Sequence, residues 1–216
     1  MAIRTPFASD PALRLLNGLM TWRARGLAAR VAPLLPGTGE ILDIGSGTGH
    51  NGAYLRRLRP GRVSEVDVVD FSVVGPGPAL FDGRRLPFSD ARFDAVTMIY
   101  VLHYAPDPVA LLKEARRVCR GGIVVVQTVC EGSAGPRLHR VNEAITRLGF
   151  HAARLFGVIN PVPCPLHSRE DLSREALLQI ARRAGLAPGS LRAERHLPCL
   201  PLSRITCRLV PFQPRR

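Results

Sequence analysis

The stretch ILDIGSGTGHNG joins an apolar run to a carboxylate and several glycines, a combination suited to holding a charged ligand. Two patterns overlap in it. Gly47, Gly49 and Gly52 have the G-x-G-x-x-G spacing of dinucleotide-binding loops. Asp43, Gly45, Gly47 and Gly49 instead have the spacing D-x-G-x-G-x-G. In both patterns the glycines let the backbone approach a ligand at the exit of a strand, where a helix begins.

The charge of Asp43 separates the two interpretations. A carboxylate beside a pyrophosphate is repelled, whereas one beside an ammonium or sulfonium is attracted. The register agrees, because the first glycine of a dinucleotide loop directly follows the strand. That glycine would be Gly45, and the third glycine would then fall on His50. We therefore expect the loop to face a positively charged ligand.

Further acidic residues follow in two short motifs. VVDFS predicts Asp70 at the end of a second strand, where a carboxylate can hold both hydroxyls of a ribose. LFDGRRLPF predicts Asp82 and Gly83 at the end of a third strand, suited to hydrogen bonds with an adenine edge. The alternative for Asp43, Asp70 and Asp82 is a carboxylate that only caps a turn.

These motifs need a scaffold of alternating strands and helices, and the apolar pattern predicts one. One or two helices are expected over 11–32 and further helices over 50–58, 107–119, 136–156 and 168–186. Strands are expected at EILDI, RVSEVDVVD, ALF, FDAVTMIYVL, the apolar GGIVVVQTVC, and near SLRAERHL and ITCRLV. Ser168 and Asp171 predict the start of the last helix, and Gly185 its end. The pattern indicates an α/β protein with a mainly parallel sheet.

DIGSGTG, VDFS, LPFSDARFDAV and VLHY, in this order, resemble the class I S-adenosylmethionine-dependent methyltransferases, and among them the small-molecule, type 11-like group. The matches run from about 40 to 130, and HSREDLSREALLQIARRAGL resembles the penultimate helix of that family. The resemblance implies a Rossmann-like α/β fold whose seven-stranded, mostly parallel sheet has helices on both faces. It implies one domain over 1–216, with an N-terminal helical segment (1–36), a cofactor-binding core (40–130), a helical lid inserted after strand five (131–167) and a C-terminal part (168–216).

The resemblance also implies roles for individual residues. The methionyl part of S-adenosyl-L-methionine would be surrounded by Asp43, Gly45, Ser46, Gly47 and Gly49. Asp70 would hold the ribose, Phe71 would pack on the adenine, and Asp82 and Gly83 would reach the adenine amino group. Tyr100 and His103 would lie where cofactor and substrate meet.

The chain departs from the family between its second and third strands. Family members usually have a helix there, but FSVVGPGPALF contains two Gly-Pro steps that cannot continue one. We expect a very short or irregular third strand, a more open adenine side and weaker cofactor binding.

Two histidines are candidates for a general base, which is needed only if the acceptor must lose a proton. His103 is the first, and its alternative role is to shape the floor of the pocket. His139 is the second, because Asn142, Glu143 and Thr146 share its side of the predicted 136–156 helix. The alternative there is a solvated polar face.

The leading hypothesis is methyl transfer to a small-molecule or lipid-like acceptor, at oxygen. The net charge of +13, almost all from arginine, and the clusters RRLRPGR and ARRVCR raise a second hypothesis, an RNA or other nucleic-acid methyltransferase. IYVLHY lacks the Asn/Asp-Pro-Pro-aromatic signature of base-amino methylation, which argues against it. A third hypothesis is a non-catalytic partner protein that keeps the fold.

The remaining expectations concern metals and membranes. Cys164 with His167, and His196 with Cys199, have spacings that can build zinc sites. The prolines in both pairs and the helix predicted between them favour no metal. Arg14 interrupts the first apolar stretch and no apolar run approaches a membrane-spanning length, so we expect a cytoplasmic protein without a membrane span.

Overall fold

A computed structural model describes residues 11–59, 61–130, 172–195 and 202–212, together with Val141 and Ala144. The elements in chain order are α1 (Pro11–Val31), a 3-10 turn (Ala32–Leu34), β1 (Glu40–Ile44), α2 (His50–Leu58), β2 (Arg62–Asp67), β3 (Ala79–Leu80), β4 (Phe93–Ile99), α3 (Pro108–Val118), β5 (Cys119–Cys130), α4 (Arg174–Arg183), β6 (Leu186–Arg195) and β7 (Leu202–Pro211).

The seven strands form one sheet in the order β3-β2-β1-β4-β5-β7-β6. Strands β1 to β5 pair in parallel, whereas β7 runs antiparallel to both of its neighbours. This confirms the predicted mostly parallel sheet. The chain order reverses direction between β1 and β4, and in such sheets the crevice at the carboxyl ends of the strands is the usual ligand site.

Helices cover both faces of the sheet, as predicted. On one face Leu27 and Val31 of α1 and Leu55 of α2 pack in an apolar cluster with strand residues. On the other face α3 and α4 contribute residues such as Leu112 and Leu177 to a second cluster. Alternate residues of β5 enter the two clusters, which explains why this strand is almost wholly apolar.

The helix ends follow local capping. Asp107 is the N-cap of α3, since its Oδ1 accepts hydrogen bonds from the N–H groups of Val109 and Ala110, both at 3.0 Å, and Pro108 follows it. The predicted start of the last helix at Ser168 is wrong. Ser173 is the N-cap of α4, where its hydroxyl accepts a bond from the N–H of Ala176. Gly185 ends this helix at a φ of +73°, as predicted.

β2 ends at Asp67, so the second strand is shorter than predicted and Asp70 lies in the connection that follows it. β3 has only two residues, as the Gly-Pro steps predicted. The connection after β2 packs on the glycine loop. The N–H groups of Val73 and Val74 bond to the carbonyl of Thr48 at 3.0 and 3.3 Å, and both valines are buried. Val68, at the start of the connection, and Leu80, in β3, are exposed.

Several predictions fall outside the described residues. They include the lid over 131–167 apart from the helical Val141 and Ala144, the candidate base His139, and the four Cys and His residues of the inverted pairs. The segment boundaries within 1–216 also stay a prediction. Among the described helices, none combines the length and the apolar character that crossing a bilayer requires.

Candidate active site

The glycine loop joins β1 to α2 and has a backbone that only glycine adopts easily. Gly45, Gly47 and Gly49 have φ angles of +71°, +54° and +79°. A Cβ on Gly45 would lie 2.4 Å from the Val101 side chain, and one on Gly49 would lie 2.5 Å from the carbonyl oxygen of Val74. A Cβ on Gly47 would meet nothing within 4 Å, so this residue borders open space. The loop is therefore closely packed at Gly45 and Gly49 and open at Gly47.

Asp43 lies at the carboxyl end of β1 and is 1% exposed. Its Oδ1 accepts a hydrogen bond from the Thr97 hydroxyl at 2.6 Å, while Oδ2 is buried with no partner among the described residues. Burial raises the pKa of this carboxyl to about 7, against the Thr97 bond and with help from the charges of Glu65 and Asp67. The buried hydroxyl of Ser46 likewise has no partner in the described part of the chain. Such groups need a partner, and a polar ligand supplies one.

Asp67 is a site residue that the sequence analysis missed. As the last residue of β2, it accepts hydrogen bonds from the N–H of Gly47 at 2.8 Å and from the N–H of Val68 at 2.7 Å. Burial raises its pKa. Its carboxylate thus touches the glycine loop directly. A carboxylate at the end of the valine-rich run RVSEVD was the available signal.

Asp70 and Phe71 lie in the connection that follows β2. Oδ1 of Asp70 accepts hydrogen bonds from the N–H of Ser72 at 2.9 Å and from the Ser72 hydroxyl. This is the geometry of the turn-capping alternative. Phe71 is buried. Contacts of Asp70 with a ribose and of Phe71 with an adenine stay predictions.

Asp82 and Gly83 form an exposed turn after β3. Oδ1 of Asp82 accepts bonds from the N–H groups of Arg84 and Arg85 at 2.8 and 2.9 Å, and these bonds lower its pKa. Gly83 has a φ of +76°. Here too the bonds are those of a turn, and the adenine contact stays a prediction.

Tyr100 and His103 follow β4 at the same edge of the sheet. Tyr100 has a φ of +58°, rare for a residue with a side chain. Its hydroxyl accepts a hydrogen bond from Nε of Arg204 at 2.7 Å, and the guanidinium of Arg23 lies 4.9 Å from its ring centroid. The strained backbone is held by a bond from the Tyr100 N–H to the carbonyl of Val126, at 2.8 Å.

Gln127 is the second residue that the sequence analysis missed. It is fully buried in the apolar β5, and its amide nitrogen lies 2.6 Å from Nδ1 of His103. With the nitrogen as donor, Nδ1 accepts and the ring proton sits on Nε2, while Oε1 of Gln127 has no partner among the described residues. Turning the amide lets Oε1 accept from a protonated Nδ1 and leaves Nε2 unprotonated. Gln127 therefore controls which nitrogen of His103 holds the proton.

His50 ties α1 to the glycine loop. Its Nε2 lies 2.9 Å from Oδ1 of Asn17 in α1, and its Nδ1 lies 3.0 Å from the Thr48 hydroxyl. Burial lowers the pKa of His50, and a neutral ring matches one donor and one acceptor nitrogen. The amino half of α1 is thereby held beside the site.

The arginine clusters are largely engaged within the protein. Arg56 pairs with Glu65, Arg117 with Glu114 and Asp90. A cavity of about 460 Å³ is lined by Lys113, Arg116, Arg117, Arg183, Ala184 and Gly185. It lies at the ends of α3 and α4, beyond which β5 and β6 begin, and so at the sheet edge opposite the glycine loop. Within the described residues, no cluster of His, Cys, Asp or Glu is arranged for a metal.

A model of the methyltransferase domain family matches residues 19–190, well over half of the chain. The chain belongs to this methyltransferase family. The expectations of an S-adenosylmethionine-dependent methyltransferase and of that cofactor are confirmed. The described residues fit the cofactor, since the glycine loop has one open side and two buried oxygens without partners, on Asp43 and Ser46.

Two curated relatives differ in what they act on. A ubiquinone/menaquinone biosynthesis C-methyltransferase from Desulfotalea psychrophila is 33% identical over 126 residues, covering 50% of this chain and 49% of the relative. A phosphatidylethanolamine N-methyltransferase from Cereibacter sphaeroides is 28% identical over 175 residues, covering 71% and 76%. The chain thus spans about half the length of the first of these relatives.

Solved structures match the fold. A methyltransferase from Aquifex aeolicus, described as SAM dependent, aligns with a TM-score of 0.56 at 17% identity, covering 86% of this chain and 89% of that one. The similarity confirms the Rossmann-like architecture inferred from the order of motifs.

Proposed function

We propose that this methyltransferase acts on an apolar, lipid-like acceptor, and that the acceptor atom is an oxygen. The observation that carries the proposal is the buried His103–Gln127 pair, at the same edge of the sheet as the glycine loop. A hydroxyl acceptor must lose a proton, and this pair can take one. The named activities of two relatives, on quinones and on a phospholipid, support an acceptor of the lipid class.

The cofactor would lie against the glycine loop, with Asp43 and Ser46 offering their unpartnered oxygens. When bound, S-adenosylmethionine supplies a methyl group activated by a sulfonium. Asp67, rather than Asp70, is the carboxylate best placed to hold the ribose, because it ends β2 and contacts Gly47. Phe71, Asp82 and Gly83 remain candidates for the adenine side.

The protein's contribution to the reaction is positioning, proton removal and exclusion of water. With the Gln127 amide turned so that Oε1 accepts a hydrogen bond from Nδ1 of His103, Nε2 would be able to take the acceptor's proton. Tyr100, fixed between Arg23 and Arg204, would form one wall of the acceptor site. His139 stays a second candidate base.

The test begins with binding. Calorimetry with S-adenosylmethionine should show a single saturable site, and Asp67→Asn should weaken it more than Asp70→Asn does. Equal losses, or a larger loss for Asp70→Asn, would contradict the assignment of Asp67.

Activity is then measured with methyl-labelled cofactor and three acceptors: a hydroxylated quinone precursor, phosphatidylethanolamine and RNA. The proposal expects label on the oxygen of the first. Label on a ring carbon or on the headgroup nitrogen would keep the lipid class and overturn the acceptor atom, whereas label only on RNA would overturn both.

A further inference from the structure

Helix α1 is apolar on two opposite faces, and only one of them is covered. Leu27, Ala28 and Val31 are buried in a cluster with strand residues, and Ala24 is buried on the same side of the helix. Leu15, Leu19 and Trp22 are 77%, 60% and 73% exposed. At 100° per residue, these three side chains fall within about 60° of one another around the helix axis. We name Leu15, Leu19 and Trp22 the outer stripe.

The outer stripe lies between two rows of arginine. Arg14 and Arg25 border it on one side, and Arg23 and Arg30 on the other, by the same helical spacing. The helix contains no acidic residue. Two of the arginines have partners, since Arg23 stacks on Tyr100 and Arg30 pairs with Glu194. Arg14 and Arg25 are exposed on the other border.

An apolar stripe with a tryptophan and flanking arginines is the pattern of helices that lie in the plane of a membrane interface. The apolar side chains enter the acyl boundary while the arginines meet anionic headgroups. The net charge of +13 adds attraction to the same surface. We propose that α1 docks this protein on an anionic lipid surface through the outer stripe.

Docking there would serve the active site, and in this respect the inference rests on the proposed lipid-like acceptor. Asn17 bonds to His50 beside the glycine loop, and Arg23 lies on the ring of Tyr100. The helix that carries the outer stripe thus also borders the site. Docking through the outer stripe would therefore bring the site close to the bilayer that holds such an acceptor.

The sole tryptophan of the chain, Trp22, reports on the docking directly. Its emission is recorded while the protein is titrated with vesicles of phosphatidylcholine and phosphatidylglycerol, and co-sedimentation is measured in parallel. We expect a blue shift and sedimentation with these vesicles. Pure phosphatidylcholine should give at least about a tenfold weaker partition. No shift and no sedimentation at low salt would overturn the proposal.

Substitutions separate the stripe from the general positive charge. Leu15→Ser with Leu19→Ser should weaken partition by about tenfold or more. Arg14→Gln with Arg25→Gln should reduce the preference for anionic vesicles. Phe212→Ser, which removes another exposed apolar side chain at 64% exposure, should change neither property. Binding that survives the leucine substitutions but disappears with salt would mean charge alone, and would contradict docking through the stripe.

Other occupants of the outer stripe give different results. A second copy would produce concentration-dependent dimers without vesicles, and the leucine substitutions would abolish them. Another segment of the chain would leave Trp22 emission already blue-shifted in buffer. Either result overturns the proposal. Failure of the proposed function is distinguishable, because it leaves the vesicle response of Trp22 intact while the labelled acceptors remain unmethylated.

Discussion

Asp43 is a buried carboxyl group whose ionised form a positively charged ligand would stabilise. Its carboxyl is buried beside Glu65 and Asp67, and its pKa is raised to about 7. A cationic cofactor favours the ionised form, so binding below pH 7 releases a proton. Affinity for S-adenosylmethionine should therefore rise as the pH increases toward 7, by up to about tenfold per pH unit, and level off above it. Calorimetry across roughly pH 5 to 8 measures this.

The control is Asp43→Asn, which keeps the size of the side chain and removes the charge. This variant should bind the cofactor more weakly at pH 8 and lose most of the pH dependence. S-adenosylhomocysteine, which lacks the sulfonium charge, should show a smaller dependence with the unaltered protein. An equal slope in both proteins would place the titrating group elsewhere.

Gln127 sets the proton position on His103, and its removal should act on proton transfer rather than on binding. Gln127→Leu leaves a ring nitrogen without its buried partner. We expect kcat to fall about 10- to 100-fold, within the range that general-base catalysis contributes, with little change in the KM for the cofactor. The acidic limb of the pH–rate profile should also move.

Gln127→Glu is the matched variant, since it can still accept from Nδ1 and favours a protonated ring. It should recover part of the rate at alkaline pH and shift the acidic limb upward. If Gln127→Leu lowered kcat with an unmoved pH profile, Gln127 would have only a packing role.

Of the two buried carboxylates at the glycine loop, Asp43 could be predicted from the sequence and Asp67 could not. Asp43 is recognised because its distance from three glycines is fixed by the turn itself. Asp67 was passed over because VVDFS matched a family motif, and because Val68 and Val69 look like a continued strand. The strand ends at Asp67 because its side chain bonds back to Gly47 and Val68. A bond between distant segments leaves no pattern in either one.

At the scale of elements, the glycine loop offers a matched pair of substitutions. A methyl group on Gly49 would collide with the carbonyl of Val74, whereas one on Gly47 would enter open space. Both residues have positive φ, so each alanine costs about 1 kcal/mol of backbone strain. Gly49→Ala should lower the free energy of unfolding by more than that, because the connection carrying Val74 must move. Chemical denaturation measures the difference.

Affinity for the cofactor is the second property in which Gly47→Ala should be distinctive. Gly47→Ala should lower the free energy of unfolding only by the roughly 1 kcal/mol of backbone strain but bind S-adenosylmethionine at least about tenfold more weakly, since its methyl group fills the open side of the loop. Normal binding by Gly47→Ala would mean that the open side is not where the cofactor lies.

Elements marked by a capping residue or by a continuous apolar run were predicted correctly. Features that depend on packing against other segments were not. Asp107-Pro108 marks the start of α3, and the apolar β5 could only be a strand covered on both faces. The start of α4 was misplaced because Ser168 and Ser173 both suit an N-cap, and only packing selects between them. The more open adenine side expected at the connection after β2 stays a prediction. The packing of its valines on the glycine loop was not foreseen, because this contact depends on the position of Thr48.

The whole molecule places several ionisable groups where water cannot reach them. Burial raises the pKa of Asp43, Glu65 and Asp67, all near the carboxyl edge of β1 and β2. Their raised pKa values make the fold less stable as the pH rises. The lowered pKa of His50 instead makes the fold less stable at acidic pH. Most of the arginine charge stays at the surface. The stability of the fold is therefore linked to pH through the site, and also through Asp94 and Glu114, whose pKa values are lowered by hydrogen bonds from Arg120 and Arg117.

This linkage predicts how stability changes with pH. Between pH 3.8 and about 7, Asp43 is protonated in the folded chain but ionised in the unfolded chain. The unfolded state binds fewer protons there, so the free energy of unfolding falls as the pH rises, by up to about 4 kcal/mol from this residue. Denaturation near roughly pH 4 and pH 8 should show wild type losing stability relative to Asp43→Asn. Saturating S-adenosylmethionine should restore part of the loss at pH 8, since the bound cation stabilises the ionised carboxylate. A constant difference between the two proteins would mean that Asp43 stays ionised throughout, and that the buried oxygen is already matched by a positive charge.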